Sequence, residues 1–228
     1  MVSPRILVVL TSFGYIQSIQ RHTGWYLPEL AHPYDVLHEK AELVVASPNG
    51  GVSPVDPESV ESFWSDDVSR NFYENEKYIW ENTTALKDFM GHTAEFDAIF
   101  FPGGHGPMFD LTVNKDATQL IEEFYAAGKV VAAVCHGPAV FSNAFVGAQP
   151  LLNGRKVTGF SNVEEELMNL TTAMPFLLED ALKQRFGSYE KAKEPWGEHI
   201  VVDGRLITGQ NPASAKGVAE EIAKALGI

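Results

Sequence analysis

Cys135 is the only cysteine among the 228 residues, and its surroundings suit a nucleophile. It follows the apolar run Val130-Val131-Ala132-Ala133-Val134 and precedes His136-Gly137-Pro138-Ala139. An apolar strand that gives way at once to small residues makes the sharp strand–nucleophile–helix turn that lifts a side chain above the carboxyl edge of a sheet. A helix starting there would aim free N–H groups and its positive dipole end at the sulfur, lowering the thiol pKa. The same N–H groups could stabilise an oxyanion. The ordinary alternative is a buried, inert cysteine that packs as a small hydrophobe. His136 is the nearest candidate base. Adjacent side chains on a regular helix do not face each other, so only a strained turn would bring the pair together. A packing or capping histidine is the competing role.

Pro102-Gly103-Gly104-His105-Gly106-Pro107 also follows an apolar run. If both runs are parallel neighbours, both loops lie at one sheet edge. Glycine lets the backbone approach a ligand closely. Gly104 could therefore supply an oxyanion N–H, and Gly104, His105 and Gly103 are the candidate oxyanion and substrate-binding residues, with a plain tight turn as the alternative. No Gly-Lys-Ser/Thr follows, so this is not a phosphate-binding P-loop, nor is it a dinucleotide fingerprint. Glu164, Glu165 and Glu166 follow Asn162, which could cap a short helix and leave these acids as partners of its dipole. Glu29 lies among Trp25, Tyr26, Leu27 and Leu30 and is either at a solvated edge or buried with a raised pKa. The seven histidines are scattered, and no His-x-x-x-His or Cys-x-x-Cys pattern marks a metal site.

The elements that must position these residues alternate. Strands are expected at Ile6–Leu10, Leu43–Ala46, Ala98–Phe101, Val130–Val134 and near Val157. A hairpin is expected over Ile200–Ile207 around its Asp-Gly turn. Helices are expected from Gly24 to about Lys40, capped by Thr23 and interrupted by Pro28 and Pro33. Others are expected from Leu120 to Ala127, near Val163 to Met168, from Phe176 to Arg185 and from Ala213 to Leu226. This βαβ alternation predicts one α/β domain over 1–228, a doubly wound, mostly parallel sheet sandwiched by helices. Residues 50–92 break the rhythm with Phe63, Trp64, Phe72, Tyr73, Tyr78 and Trp80 among many acids. They read as an ordered aromatic insertion, either a helical cover for the sheet edge or a lid or dimer surface.

Composition narrows the function classes. The net charge of −13 argues against nucleic acid or an anionic membrane as a main partner. One cysteine cannot form an internal disulfide, and no apolar run approaches the ~20 residues of a membrane span. The N-terminal apolar run lacks the flanks of a signal peptide. A cytoplasmic location is the resulting expectation.

Ala133-Val134-Cys135-His136-Gly137-Pro138 resembles the nucleophile elbow of the ThiJ/PfpI superfamily, which has the class I glutamine amidotransferase-like fold. Further matching motifs run in order from Thr23-Gly24 to Glu29 with His32-Pro33, then Phe101 to Gly106, Val157 to Asn162, and Ile207 to Ser214. Within the superfamily the chain is most similar to the glyoxalase III and heat-shock chaperone branch. The insertion at 50–92 is closer to bacterial-type members than to the best-known yeast chaperones, which leaves the pocket shape open. The resemblance implies a flavodoxin-like homodimer. It also implies Cys135 as nucleophile, His136 as its partner, and Glu29 as a protonated carboxyl touching the sulfur. Glu165 would orient His136, with Glu164 as the alternative one residue away. Gly104 and the His136 backbone would form the oxyanion site. The implied activity is glutathione-independent conversion of methylglyoxal or a related 2-oxoaldehyde to the 2-hydroxy acid, with no cofactor or metal. Two other readings stay open. One is a cysteine hydrolase or deglycase-type repair enzyme. The other is a holdase chaperone or redox sensor with unfolded-protein clients.

Overall fold

The computed structural model describes residues 3–228. Seven strands form the central sheet: β1 (Arg5–Val9), β2 (Glu42–Ser47), β3 (Thr84–Ala85), β4 (Ala98–Phe101), β5 (Val130–Val134), β6 (Ile200–Asp203) and β7 (Leu206–Gly209). Their order is β6-β7-β5-β4-β1-β2-β3. Every pairing is parallel except β6 with β7. The central strands β4 and β5 are buried at every position, as near-continuous apolar runs require in a sheet covered on both faces. The strand order reverses beside β1, which makes the crevice at the carboxyl ends of β1 and β4 the natural ligand position.

The helices are α1 (Leu27–Leu37), α2 (Pro57–Ser62), α3 (Asp67–Asn75), α4 (Tyr78–Glu81), α5 (Lys115–Ala126), α6 (Asn162–Leu167), α7 (Leu178–Gln184) and α8 (Ala215–Leu226). Several boundaries differ from the sequence expectation for identifiable reasons. Thr23 does not cap α1. Its hydroxyl donates to Asp56, and residues 23–26 stay extended because Trp25 bridges Val55. The helix starts only at Leu27, with Pro28 in its first turn, where a missing N–H costs nothing, and it runs on through Pro33. Asn114, not a residue near Leu120, caps α5 and lengthens it by more than a turn. Ser161 rather than Asn162 caps α6, through a capping box with Glu164.

The insertion is ordered cover. Trp80 and Phe72 are buried and pack edge-on or tilted against each other and against Trp25, and β3 adds an edge strand to the sheet. Phe63 meets Tyr26 and lines a cavity with it.

Candidate active site

Cys135 sits immediately after β5 with φ 59, a left-handed backbone that a non-glycine residue adopts only under constraint. Two backbone bonds hold it. Its N–H donates to the Gly209 carbonyl at 3.0 Å, and its carbonyl accepts from Phe160 N–H at 2.9 Å. The chain then enters a tight 3-10 stretch, Gly137–Asn143, rather than an α-helix. Gly137 is required there, because a Cβ would lie 2.2 Å from the Phe101 carbonyl oxygen. The α-helical dipole expected behind the sulfur is therefore absent. Burial pushes the Cys135 thiol up, the neighbouring Glu29 charge adds to this, and the Gly104 N–H works against it. This reverses the expected lowering. The resting group is a thiol that must be deprotonated when needed.

The base for that step is in place. His136 Nδ1 lies 3.3 Å from the Cys135 sulfur, and His136 Nε2 lies 2.6 Å from Glu165 Oε2. An acceptor carboxylate at Nε2 fixes the proton there and leaves the Nδ1 lone pair facing the thiol. Burial lowers the His136 pKa, with Glu165 opposing, so the ring is poised as a neutral base. Burial resists ionisation of Glu165. The two imidazoles facing its oxygens outweigh that and hold it well below the usual carboxylate range. Its second oxygen, Oε1, meets His105 Nε2 at 2.8 Å.

Glu29 approaches from the first turn of α1 and is fully buried. Its Oε2 accepts from Gly103 N–H at 2.8 Å, while Oε1 has no nitrogen or oxygen partner and the carboxyl interacts with the Cys135 thiol. Burial pushes its pKa up to about 8, offset in part by the thiol and the Gly103 N–H. Glu29 thus carries its proton at neutral pH, as the alternative of a buried acid anticipated. Gly104, at φ +89, directs its N–H at the sulfur; a Cβ there would lie 2.3 Å from the Gly24 carbonyl.

All seven sequence candidates meet at one place: Cys135, His136, Glu29, Glu165, Gly103, Gly104 and His105. Of the two acids in question, Glu165 touches His136, and Glu164 turns to the other side of α6. His105 lines the chamber as expected, and its ring also braces Glu165, a link the sequence does not reveal. His105, His136 and Glu165 place one donor atom each within 4.8 Å of one another. Both imidazoles turn Nε2 to the carboxylate, so these donors are already engaged with each other.

The chamber beside the sulfur holds about 20 Å³, room for roughly one water. Outside it lies a cavity of about 500 Å³ whose walls include Pro28, His32, Phe63 and Lys216. Tyr26, Trp196 and Pro212 line both spaces. Sequence reasoning gave Tyr26 only an apolar setting and assigned Trp196 nothing. Tyr26 lies within the motif from Thr23 to Glu29 without a role of its own, Trp196 lies in no motif, and their convergence depends on loop packing.

The chain and its fold are similar to known proteins. Residues 24–225 match the model of the DJ-1/PfpI family. The chain belongs to the DJ-1/PfpI family. Glyoxalase 3 of Candida albicans is 31% identical over 229 residues, covering 96% of each chain. The glutathione-independent glyoxalase of Saccharomyces cerevisiae is also 31% identical, again over 96% of both. The crystal structure of glyoxalase III from Candida albicans superposes with a TM-score of 0.89 at 30% identity, covering 97% of each chain. The 24 kDa rapid encystment protein of Francisella tularensis superposes with a TM-score of 0.85 at 35% identity, over 98% of this chain and 99% of the other. The solved structures thus cover 97–98% of the chain. Among the described residues no helix is long and apolar enough to cross a membrane.

Proposed function

We propose that this protein is a glutathione-independent glyoxalase, converting methylglyoxal or a related 2-oxoaldehyde and water to the 2-hydroxy acid. The observation that carries the reading is the Cys135–His136–Glu165 chain, with contacts of 3.3 and 2.6 Å, beside a buried Glu29. Full-length relatives named as glyoxalases support it.

The chemistry follows from the groups present. His136 Nδ1 takes the thiol proton as the sulfur attacks the aldehyde carbon, forming a hemithioacetal. Gly104 N–H and the backbone N–H of His136 face the developing oxyanion. The hemithioacetal carbon then gives up its proton and the neighbouring carbonyl carbon gains one, through an enediol. This internal redox step oxidises the first carbon to a thioester and reduces the second to an alcohol. Glu29, with a pKa of about 8, suits proton exchange beside the sulfur at neutral pH. Water cleaves the thioester, releasing the 2-hydroxy acid and restoring the thiol. The balance closes with no external oxidant or reductant, consistent with a D-lactate dehydratase-type lyase that depends on cysteine and needs no cofactor. As in the resemblance, the working unit is a homodimer in the cytoplasm.

The outer cavity of about 500 Å³ favours a second reading, a cysteine hydrolase or repair enzyme acting on a longer acyl or glycated substrate. Incubation of the purified protein with methylglyoxal, without glutathione, tests the first reading by detection of lactate. Parallel assays with glycated amino acids and peptides test the second. Turnover of those substrates without lactate from methylglyoxal would overturn the glyoxalase reading.

A further inference from the structure

Glu164, fully buried, is unused by the chemistry above, yet it accepts five hydrogen bonds from four residues. Its Oε2 takes the Ser161 N–H at 2.9 Å, the Ser161 hydroxyl at 2.6 Å and Gln210 Nε2 at 3.0 Å. Its Oε1 takes Trp196 N–H at 2.9 Å and Asn211 Nδ2 at 2.8 Å. Only Ser161 belongs to the local helix cap. The other three donors tie the loop around Trp196 and the segment after β7 to α6.

Trp196 is held where a tryptophan does not settle by itself. Its φ is 64, a strained outlier for a bulky residue. The following residue is clamped too, because the Gly197 carbonyl accepts from Asn211 Nδ2 at 2.8 Å. Gln210 reaches the same loop from its other end, accepting from Ala192 N–H at 2.7 Å. So fixed, the Trp196 ring packs edge-on against Phe160 at 5.6 Å, and Phe160 lies 4.4 Å from the His136 ring. Trp196 therefore stands between the one-water chamber at the sulfur and the outer cavity, and lines both.

We propose that Glu164 is a positioning residue that holds Trp196 as a partition across the approach to Cys135, restricting the thiol to small electrophiles. A methyl-substituted oxoaldehyde passes; an aryl-substituted one is hindered. As a statement about substrates this rests on the glyoxalase reading. As a statement about access to the sulfur it does not.

The test uses the full-length protein and two thiol reagents, iodoacetamide and the bulkier N-phenylmaleimide. Trp196→Gly suits the left-handed backbone and removes the ring. It should raise the ratio of N-phenylmaleimide to iodoacetamide rate constants at Cys135 about tenfold or more. Glu164→Gln sets an amide N–H₂ against one group of N–H donors and should move the ratio the same way. Glu164→Gln also removes a charge that raises the Cys135 thiol pKa, so its alkylation profile should move to lower pH. Asn211→Ala keeps that charge, and its profile should superpose on that of the parent protein, a result that a general loosening of the site would not give. Asn211→Ala reads the same link if Glu164→Gln does not fold. An unchanged ratio in folded Trp196→Gly overturns the partition. A raised ratio there, with none in folded Glu164→Gln or Asn211→Ala, overturns the role of Glu164. If the protein turns over oxoaldehydes, the kcat/KM for phenylglyoxal relative to methylglyoxal should rise in step. Absence of any lactate removes the substrate statement and leaves the alkylation result standing.

Discussion

The sulfur of Cys135 lies 3.3 Å from Nδ1 of His136, the residue that follows it in the chain. Adjacent side chains meet here because Cys135 takes a left-handed backbone, locked by Gly209 on one side and Phe160 on the other. Cys135→Ala should abolish glutathione-free lactate formation, a fall on the order of 10³-fold or more. Circular dichroism should show the fold intact, since a small residue replaces a small one. Turnover at the parental rate in the folded variant would refute the nucleophile.

Glu165 fixes the His136 tautomer. Glu165→Gln retains one acceptor oxygen for two imidazole N–H groups. The expected fall in kcat is about 10²–10⁴-fold, the range of a misdirected general base. Loss of a buried, charge-assisted hydrogen bond should also lower stability by roughly 1–3 kcal/mol, read from urea unfolding. A variant with near-parental kcat would show that His136 holds its proton arrangement without this acid.

Glu29 gives the protein a pH signature. Its pKa rises from 4.5 to about 8 on folding, so the folded state binds the proton more tightly. That contribution to stability is complete below about 4.5, fades as pH rises, and is gone once pH passes about 8. Urea midpoints should accordingly fall between pH 5 and pH 8. Glu29→Gln should flatten that decline. It should also move alkylation of Cys135 to lower pH, because the nearby negative charge is removed. A decline as steep in the variant as in the parent would assign the effect to another group.

Gly137 carries a purely steric load. A Cβ placed 2.2 Å from the Phe101 carbonyl must displace backbone of β4 or of the elbow. Gly137→Ala should destabilise the protein by about 3 kcal/mol, seen as a lower thermal midpoint or poor accumulation. A change below about 0.5 kcal/mol would mean that the turn relaxes freely.

The main strands and the elbow were legible because apolar runs, glycine turns and the cysteine lie in local sequence. Glu29 was legible only through its motif, since residues 23–26 look like a helix start and become a bridge to Val55. Glu165 was favoured over Glu164 only through the resemblance, and the residue pattern alone did not separate them. Consecutive helical positions point about 100° apart, and only the packing of α6 decides which acid meets His136. The thiol pKa was misjudged for a related reason. Strand-to-helix turns read alike whether an α-helix or a 3-10 turn follows, and burial of Cys135 by Glu29 and Tyr26 is a long-range result. Trp196 carries no sequence signal because its role comes from a backbone angle and a buried carboxylate 32 residues earlier in the chain.

The bond from Cys135 N–H to the Gly209 carbonyl also dates the site during synthesis. The elbow cannot lock until β7 has joined the sheet beside β5, and β7 is made after β5. A nascent chain whose β7 has not yet been made therefore carries its cysteine without a fixed base. Reactivity of the Cys135 thiol then switches on when β7 docks, so that active-site labelling counts folded molecules rather than partial ones.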